Sequence, residues 1–504
     1  MPRTTSPVSL WFKFWRIAAA VMIIAAVTFI SVMPQVSNDF WLQAKVGEMI
    51  AQNHAIPKTV LFPFTEIRDA PFNAHEWLPS LLFYWIINAV GEDGLPLVMG
   101  FAGLALFCVM TWLAYRRSEK SLPVAMLLGL LAVGVENYRH FLRPELVSLF
   151  LLGIYWHLLE SCRRKQHLLT WMGALLVVVL WANTHGSFIL APIIAGVYAV
   201  GLWVDGRLAV NAWDEYEKAK VKAFAVFSIA ALAVALINPV GMELLKFVLD
   251  FGHSNPAKIM VVEWLPTFDP RFSGQRGLWI GLGCAGITAA VMLIRWRKLS
   301  AVDVLLFLMF LALALKTIRF LVYLGMVAAY VLPPLLPSGW QVAKNRTWVY
   351  AICTAVSGLV LGLTIQFGNA FGAFPHTAGR MNTSFTNLMV KQLNDPSLKG
   401  NVINSYDLGA ELVYRAYPRL RPSIDSRIDS YGGAYTQLND RLLLENELLT
   451  EFVKDYDVRY MLLNRLDFQL FEKLPNWTEK HWSIRAIDQR AVLLQRSDLP
   501  STEP

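Results

Sequence analysis

Two short stretches carry residue types suited to acid–base chemistry. Asn38-Asp39-Phe40-Trp41 places a carboxylate beside aromatic rings, and His75-Glu76-Trp77-Leu78 does so again with an imidazole next to it. Asp39 or Glu76 could take a proton from a hydroxyl within hydrogen-bond reach. An Asp near a helix start is as readily a cap or a solvated charge. A second group is basic: Arg139, His140 and Arg143 crowd around Glu145, and Lys316 and Arg319 flank another short turn. The guanidinium fork suits bidentate phosphate binding. The alternative is pairing with Glu136, Glu145 or lipid headgroups. Asn183-Thr184-His185-Gly186-Ser187 and Asn238-Pro239-Val240-Gly241 are polar breaks after apolar runs. Each is either a satisfied turn or the lining of a substrate pocket. Glu263-Trp264 and Asp269-Pro270-Arg271 add polar and aromatic groups. The Asn-x-Thr at Asn476 is a weak glycosylation signal and carries nothing here.

These residues hang on an unusual chain. It has 504 residues, 55% hydrophobic and only 16% charged, and its mean hydropathy is +0.43. Soluble domains are about 45–50% apolar and about 25% charged. The composition argues against a cytosolic enzyme and excludes disordered, collagen-like and disulfide-scaffold chains. Net charge is +8. With no basic, aromatic-interleaved soluble stretch, that excess reads as loop bias in a membrane protein rather than a nucleic-acid surface. Cys108, Cys162, Cys284 and Cys353 lie in or beside apolar blocks and form no CxxC pair, so neither a disulfide framework nor a zinc site is expected.

Eleven apolar blocks have bilayer-crossing length: 17–34, 95–115, 122–138, 146–161, 168–184, 187–205, 222–239, 277–294, 301–316, 320–337 and 347–366. The first is long, follows Arg3, Lys13 and Arg16, and lacks a cleavage signature, so it reads as an uncleaved anchor. The apolar stretch 77–91 decides the topology. If it lies along the membrane surface, eighteen Lys/Arg fall on one side, with Arg116-Arg117-Lys120, Arg163-Arg164-Lys165, Arg207 with Lys218, Lys220 and Lys222, Arg295-Arg297-Lys298 and Lys344-Arg346 joining the N-terminal three. The positive-inside rule then puts the N-terminus in the cytoplasm. Loop 35–94, loop 240–276 and the region 367–504 fall outside. The last reads as an α/β domain. Its β-like runs are Asn401–Tyr406, Ser423–Asp429, Arg459–Leu463 and Ala491–Gln495; its helical runs are Leu408–Tyr417 and Gln437–Asp455. The expected architecture is an α-helical polytopic membrane domain over 1–366 and an extracytoplasmic α/β domain over 367–504.

This layout resembles the GT-C membrane glycosyltransferases, which use polyprenyl-phosphate sugars. The matching stretches are Asp39-Phe40-Trp41 with Gly47 and Ile56-Pro57, then His75-Glu76-Trp77-Leu78 ahead of a surface helix. Ser405-Tyr406-Asp407-Leu408-Gly409 and Ser423-Ile424-Asp425-Ser426-Arg427-Ile428-Asp429 resemble segments of uncharacterised bacterial members. The former echoes the Trp-Trp-Asp-Tyr-Gly signature of oligosaccharyltransferases without its paired Trp. The resemblance implies a bacterial inner-membrane enzyme moving a sugar from a polyprenyl-phosphate donor to an envelope glycan, lipid or protein acceptor. Asp39 would be the base, with Glu76 second. Arg139, Arg143, Lys316 and Arg319 would hold donor phosphate, and His75, His185, Asn183 and Glu263 would contact substrate. A divalent cation, Mg or Mn, is the only cofactor admitted, although Asp39, His75 and Glu76 have no recognisable ligand spacing. The rivals are a transporter or flippase, a ligase or polymerase of lipid-linked glycans, and a non-catalytic scaffold for envelope assembly.

Overall fold

The computed structural model describes residues 10–32, 37–118, 121–208, 214–253, 262–336, 347–367, 384–474 and 481–497. Arg3, Lys120, Lys344, Arg346 and Asn476 lie outside the described residues, as does part of loop 240–276. The chain divides into two units. One is Met1–Pro34, Glu92–Asn238 and Val261–Met381; the other is Gln35–Gly91, Pro239–Met260 and Asn382–Pro504.

The first unit is a helical bundle with one helix in each of the eleven apolar blocks. In order they are Leu10–Ser31, Leu95–Arg117, Leu122–Glu136, Pro144–Arg164, Leu168–Ala182, Leu190–Leu208, Glu215–Val234, Arg276–Ile294, Ala301–Lys316, Leu321–Val331 and Thr347–Phe367. Pro96, Pro123 and Pro144 open three of them, where a missing N–H leaves no helical bond unmade. Among the described residues, seven segments are long and apolar enough to cross a membrane. The other four fall short of the expected eleven for two reasons. Leu168–Ala182, Ala301–Lys316 and Leu321–Val331 have only 15, 16 and 11 residues, and at 1.5 Å per residue such lengths do not cover about 30 Å of hydrocarbon. Glu215–Val234 has 20 residues but is charged through its first turns by Glu215, Glu217, Lys218, Lys220 and Lys222.

Small residues let these helices touch. A Cβ at Gly325 would clash with the Val135 side chain and the Ala132 carbonyl, so the helices 321–331 and 122–136 meet backbone to backbone. One buried ionic network ties five helices. Arg117 bonds Glu160 at 3.1 Å and Asp303 at 2.6 Å. Glu160 also accepts the Tyr198 hydroxyl at 3.0 Å and the Tyr330 hydroxyl at 2.5 Å. The Arg117 guanidinium lies 3.9 Å from the Tyr330 ring centroid.

The second unit is built on a five-stranded sheet of order β2-β1-β3-β5-β4. The strands are β1 Gly400–Asn404, β2 Leu420–Pro422, β3 Val458–Asn464, β4 Trp482–Ile487 and β5 Ala491–Arg496. β1 runs parallel to β2 and β3, and β5 antiparallel to β3 and β4. Side chains alternate across the sheet as the pleat requires. Val402, Tyr460, Leu462 and Leu493 join Met389, Leu393 and Leu412 on one face. Ile403, Met461, Leu463, Val492 and Leu494 join Phe452, Phe468 and Phe471 on the other.

One expected strand is absent from this sheet, and β2 and β4 were not expected. Ser423–Asp429 is not a strand: Pro422 ends β2, the Asp425 carboxylate closes a turn by accepting the Arg427 N–H at 3.0 Å and its guanidinium at 2.5 Å, and a helix begins at Ile428. β4 had no sequence signal, because its exposure is irregular for an edge strand, with Ser483, Ile484 and Ile487 open.

The segment 37–91 packs into the core of the same unit. Phe64 lies on Phe452 and Tyr456 and donates its N–H to the Pro422 carbonyl at 3.2 Å. The Tyr435 hydroxyl bonds Thr65 Oγ1 at 2.9 Å. Trp41 packs on Tyr414 and lies under the Arg415 guanidinium. The helices Asn38–Asn53 and Trp77–Val90 meet at Gly47, where any Cβ would strike the Ser80 carbonyl. Gly47→Leu should therefore destabilise the protein by about 1–3 kcal/mol, read as a lowered midpoint in thermal unfolding in detergent micelles. A wild-type midpoint would show that the helices can separate at no cost.

Candidate functional site

The first unit gathers charges from four separate parts of the chain. Arg139 ends a short 3-10 turn after the helix 122–136, and Arg143 and Glu145 lie at the start of the helix 144–164. His185 precedes a second 3-10 turn, Glu263 lies within a third, and Arg319 sits in a fourth between two helices. Side chains at helix ends are held by the ends themselves, so these polar breaks can present charge without interrupting a span.

The connections are direct. Arg139 reaches Glu145 at 2.6 Å and Glu263 at 2.8 Å. Arg143 reaches the other Glu263 oxygen at 2.7 Å. Arg319 reaches Glu145 at 3.2 Å and donates to His185 Nε2 at 2.8 Å. A guanidinium can only donate, so His185 Nε2 accepts. The other ring nitrogen, Nδ1, caps the following turn by accepting the Ser187 N–H at 3.2 Å and lies 2.8 Å from Ser187 Oγ, which accepts the Trp181 indole N–H at 3.0 Å. The Arg319 guanidinium lies 5.0 Å from the Trp264 ring centroid, in cation–π range. Three guanidiniums thus share two carboxylates. Burial alone would raise the Glu263 carboxyl, but Arg139, Arg143 and Arg319 hold it well below the ordinary carboxylate range.

Other candidates sit elsewhere. Lys316 is exposed on the last turn of its helix, and among the described residues no ion pair draws it into the cluster. Asn183 donates to the backbone carbonyls of Val179 and Ile237 at 2.8 and 2.7 Å, the satisfied-turn geometry. His140 is buried against Glu136 at 2.8 Å, the pairing expected of a structural group.

Asp39, His75 and Glu76 belong to the second unit. Asp39 lies in the first turn of the helix Asn38–Asn53, where Ser37 caps the helix by accepting the Asp39 N–H at 3.2 Å. The Ser37 hydroxyl faces the Asp39 carboxylate at 3.3 Å. Glu76 accepts from Gln43 Nε2 at 2.5 Å, and Gln43 in turn accepts the Ser80 hydroxyl. His75 Nδ1 is 3.2 Å from the Asn73 carbonyl, and burial pushes this imidazole down to about 4, against the opposing pull of that carbonyl. Gln43 and Ser37 were not singled out in the sequence. The spacing of Asp39 and Gln43, one turn apart on one helix face, was the available signal.

Among the described residues no three His, Cys, Asp or Glu side chains gather as a metal-binding group. Glu145 and Glu263 are both engaged by guanidiniums, which makes them a poor ligand set for a divalent cation.

No family model matches the sequence, and no curated protein does. Solved structures do. The apo crystal structure of the Archaeoglobus fulgidus oligosaccharyltransferase superposes with a TM-score of 0.58 at 14% identity, covering 90% of this chain and 70% of that one. The oligosaccharyltransferase AglB of the same organism, solved with an inhibitory peptide and a dolichol-phosphate, gives 0.55 at 12% identity, covering 98% and 76%. A complex of the Archaeoglobus fulgidus enzyme with Zn and sulfate gives 0.54 at 14% identity, covering 89% and 68%. At such identities the shared property is the fold. The chain shares the fold of these oligosaccharyltransferase structures and carries a small α/β sheet near its C-terminus.

Proposed function

We propose that the protein is a membrane glycosyltransferase. It moves a sugar from a polyprenyl-phosphate donor to an envelope glycan, lipid or protein acceptor on the outer face of a bacterial inner membrane, with its N-terminus in the cytoplasm. The observation that carries this reading is the cluster of Arg139, Arg143 and Arg319 on a GT-C fold. A neighbour of that fold was solved with a dolichol-phosphate, which supports a lipid-phosphate donor.

The chemistry makes two demands. A lipid phosphate is already a good leaving group, so it needs charge compensation more than protonation. Arg319, Arg143 and Arg139 supply that compensation. The acceptor hydroxyl needs a base. Asp39 takes that role, with Glu76 second. One base and one displacement invert the anomeric centre.

Mass spectrometry of envelope glycans and lipid-linked intermediates in a deletion strain tests the reading. The expected result is one glycan lacking a sugar, with its sugar-charged polyprenyl phosphate accumulating. Unchanged glycans would overturn it. A finer test concerns donor affinity. A hydrogen bond to a charged group contributes about 1.5–3 kcal/mol, so Arg319→Ala should raise the donor KM by about 10- to 100-fold and leave the acceptor KM near wild type. Equal losses for both substrates would remove Arg319 from the phosphate.

A further inference from the structure

Glu145 and Glu263 both pair with arginines, but their settings differ. Glu145 is rooted in the first turn of a helix with a side chain 5% exposed; Glu263 sits in a three-residue 3-10 turn with a side chain 31% exposed. Glu263 gives one oxygen to Arg139 and the other to Arg143. That is the span of a phosphate group, two oxygens of one anion bridging two guanidiniums. The Arg139 Nε–H, buried, has no hydrogen-bond partner among the described residues, so the pair retains a donor that the carboxylate does not reach.

We infer that Glu263 is an internal stand-in for the donor phosphate: its carboxylate occupies the Arg139–Arg143 cradle in the unliganded protein and must swing out for the phosphate of the lipid carrier, sugar-charged or free, to enter. This rests on the proposed phosphate role of the arginines. Leaving the cradle empty would strand two guanidiniums in a partly buried place, which is costly. A resident carboxylate removes that cost, and competes with every incoming anion. Glu145 stays, keeping Arg139 and Arg319 oriented through the exchange. The exchange raises selectivity, because an anion must outbid a tethered carboxylate. A phosphate carried on a lipid, concentrated in the membrane, meets that demand better than a free one.

The test measures binding of undecaprenyl phosphate, and separately inorganic phosphate, to the full-length protein in detergent micelles. Wild type, Glu263→Gln, Glu263→Ala and Arg143→Ala are compared. Glu263→Gln preserves volume and guards against misfolding in the alanine variant. Both Glu263 variants should bind undecaprenyl phosphate about tenfold more tightly than wild type. They should be less thermostable alone but gain more on adding it, since a ligand stabilises in proportion to its occupancy. Their affinity for inorganic phosphate should also rise, which narrows the preference for the lipid form. If Arg143→Ala weakens binding while neither Glu263 variant tightens it, the stand-in role is wrong and the phosphate role survives. If no protein, wild type included, binds undecaprenyl phosphate, both are wrong.

Discussion

Asp39→Asn is expected to slow sugar transfer by about 10²- to 10⁴-fold, the contribution typical of a positioned general base, with membrane abundance and undecaprenyl-phosphate affinity at wild-type levels. The substitution keeps shape and keeps an oxygen to face the Ser37 hydroxyl, so the helix start it sits in should survive. What it removes is the ability to accept a proton from an acceptor hydroxyl. In the proposed mechanism carrier binding depends on guanidiniums, which the variant leaves alone. The loss should therefore fall on kcat, and KM for the donor should hold. Glu76→Gln is the informative comparison. Glu76 is bound to Gln43 in a chain that ends on Ser80, so its loss should loosen the junction of two helices and cost far less activity. Full turnover in the Asp39→Asn protein would end its candidacy; a larger loss in Glu76→Gln would transfer the role.

How much of this could be read without coordinates follows from how local each signal is. Helix positions were legible because an apolar run of bilayer length has few alternatives. β1, β3 and β5 were legible as short apolar runs, and the irregular edge strand β4 was not. Arg139, Arg143 and Arg319 stood out as charges at the ends of apolar blocks, on the side the topology disfavours. Their partners were a different matter. Glu263 is 120 residues from Arg143, and no local pattern joins them. Lys316 looked equivalent to Arg319 from sequence, yet the backbone extends at Thr317 and leaves Lys316 exposed behind it. Likewise, nothing near Thr65 announces a bond to Tyr435, 370 residues away. Long-range pairing is where single-sequence reasoning ends, because a side chain's type fixes what it can bond and only the folded chain fixes which atom arrives.

The second large effect lies in the Arg117 network, which no part of the proposed chemistry uses. Arg117→Ala should cost about 3–5 kcal/mol of stability, the penalty for removing one partner of a buried ionic group. Its loss would leave Glu160 and Asp303, with side chains 8% and 4% exposed, without their strongest counter-charge. Arg163 could offset only part of this, since it stands 3.6 Å from Glu160 and also neighbours Asp205 at 4.0 Å. The two tyrosines would not help either: Tyr198 and Tyr330 donate to Glu160 but carry no charge to balance it. Thermal unfolding in micelles measures the effect, and the triple replacement Arg117→Ala, Glu160→Gln, Asp303→Asn separates its causes. If charge left unbalanced is what destabilises, the triple variant should unfold at a higher temperature than Arg117→Ala despite carrying more substitutions. If instead Arg117 acts mainly through its packing on the Tyr330 ring at 3.9 Å, the triple variant should be no better than the single one, and the ionic account of these five helices would have to be abandoned.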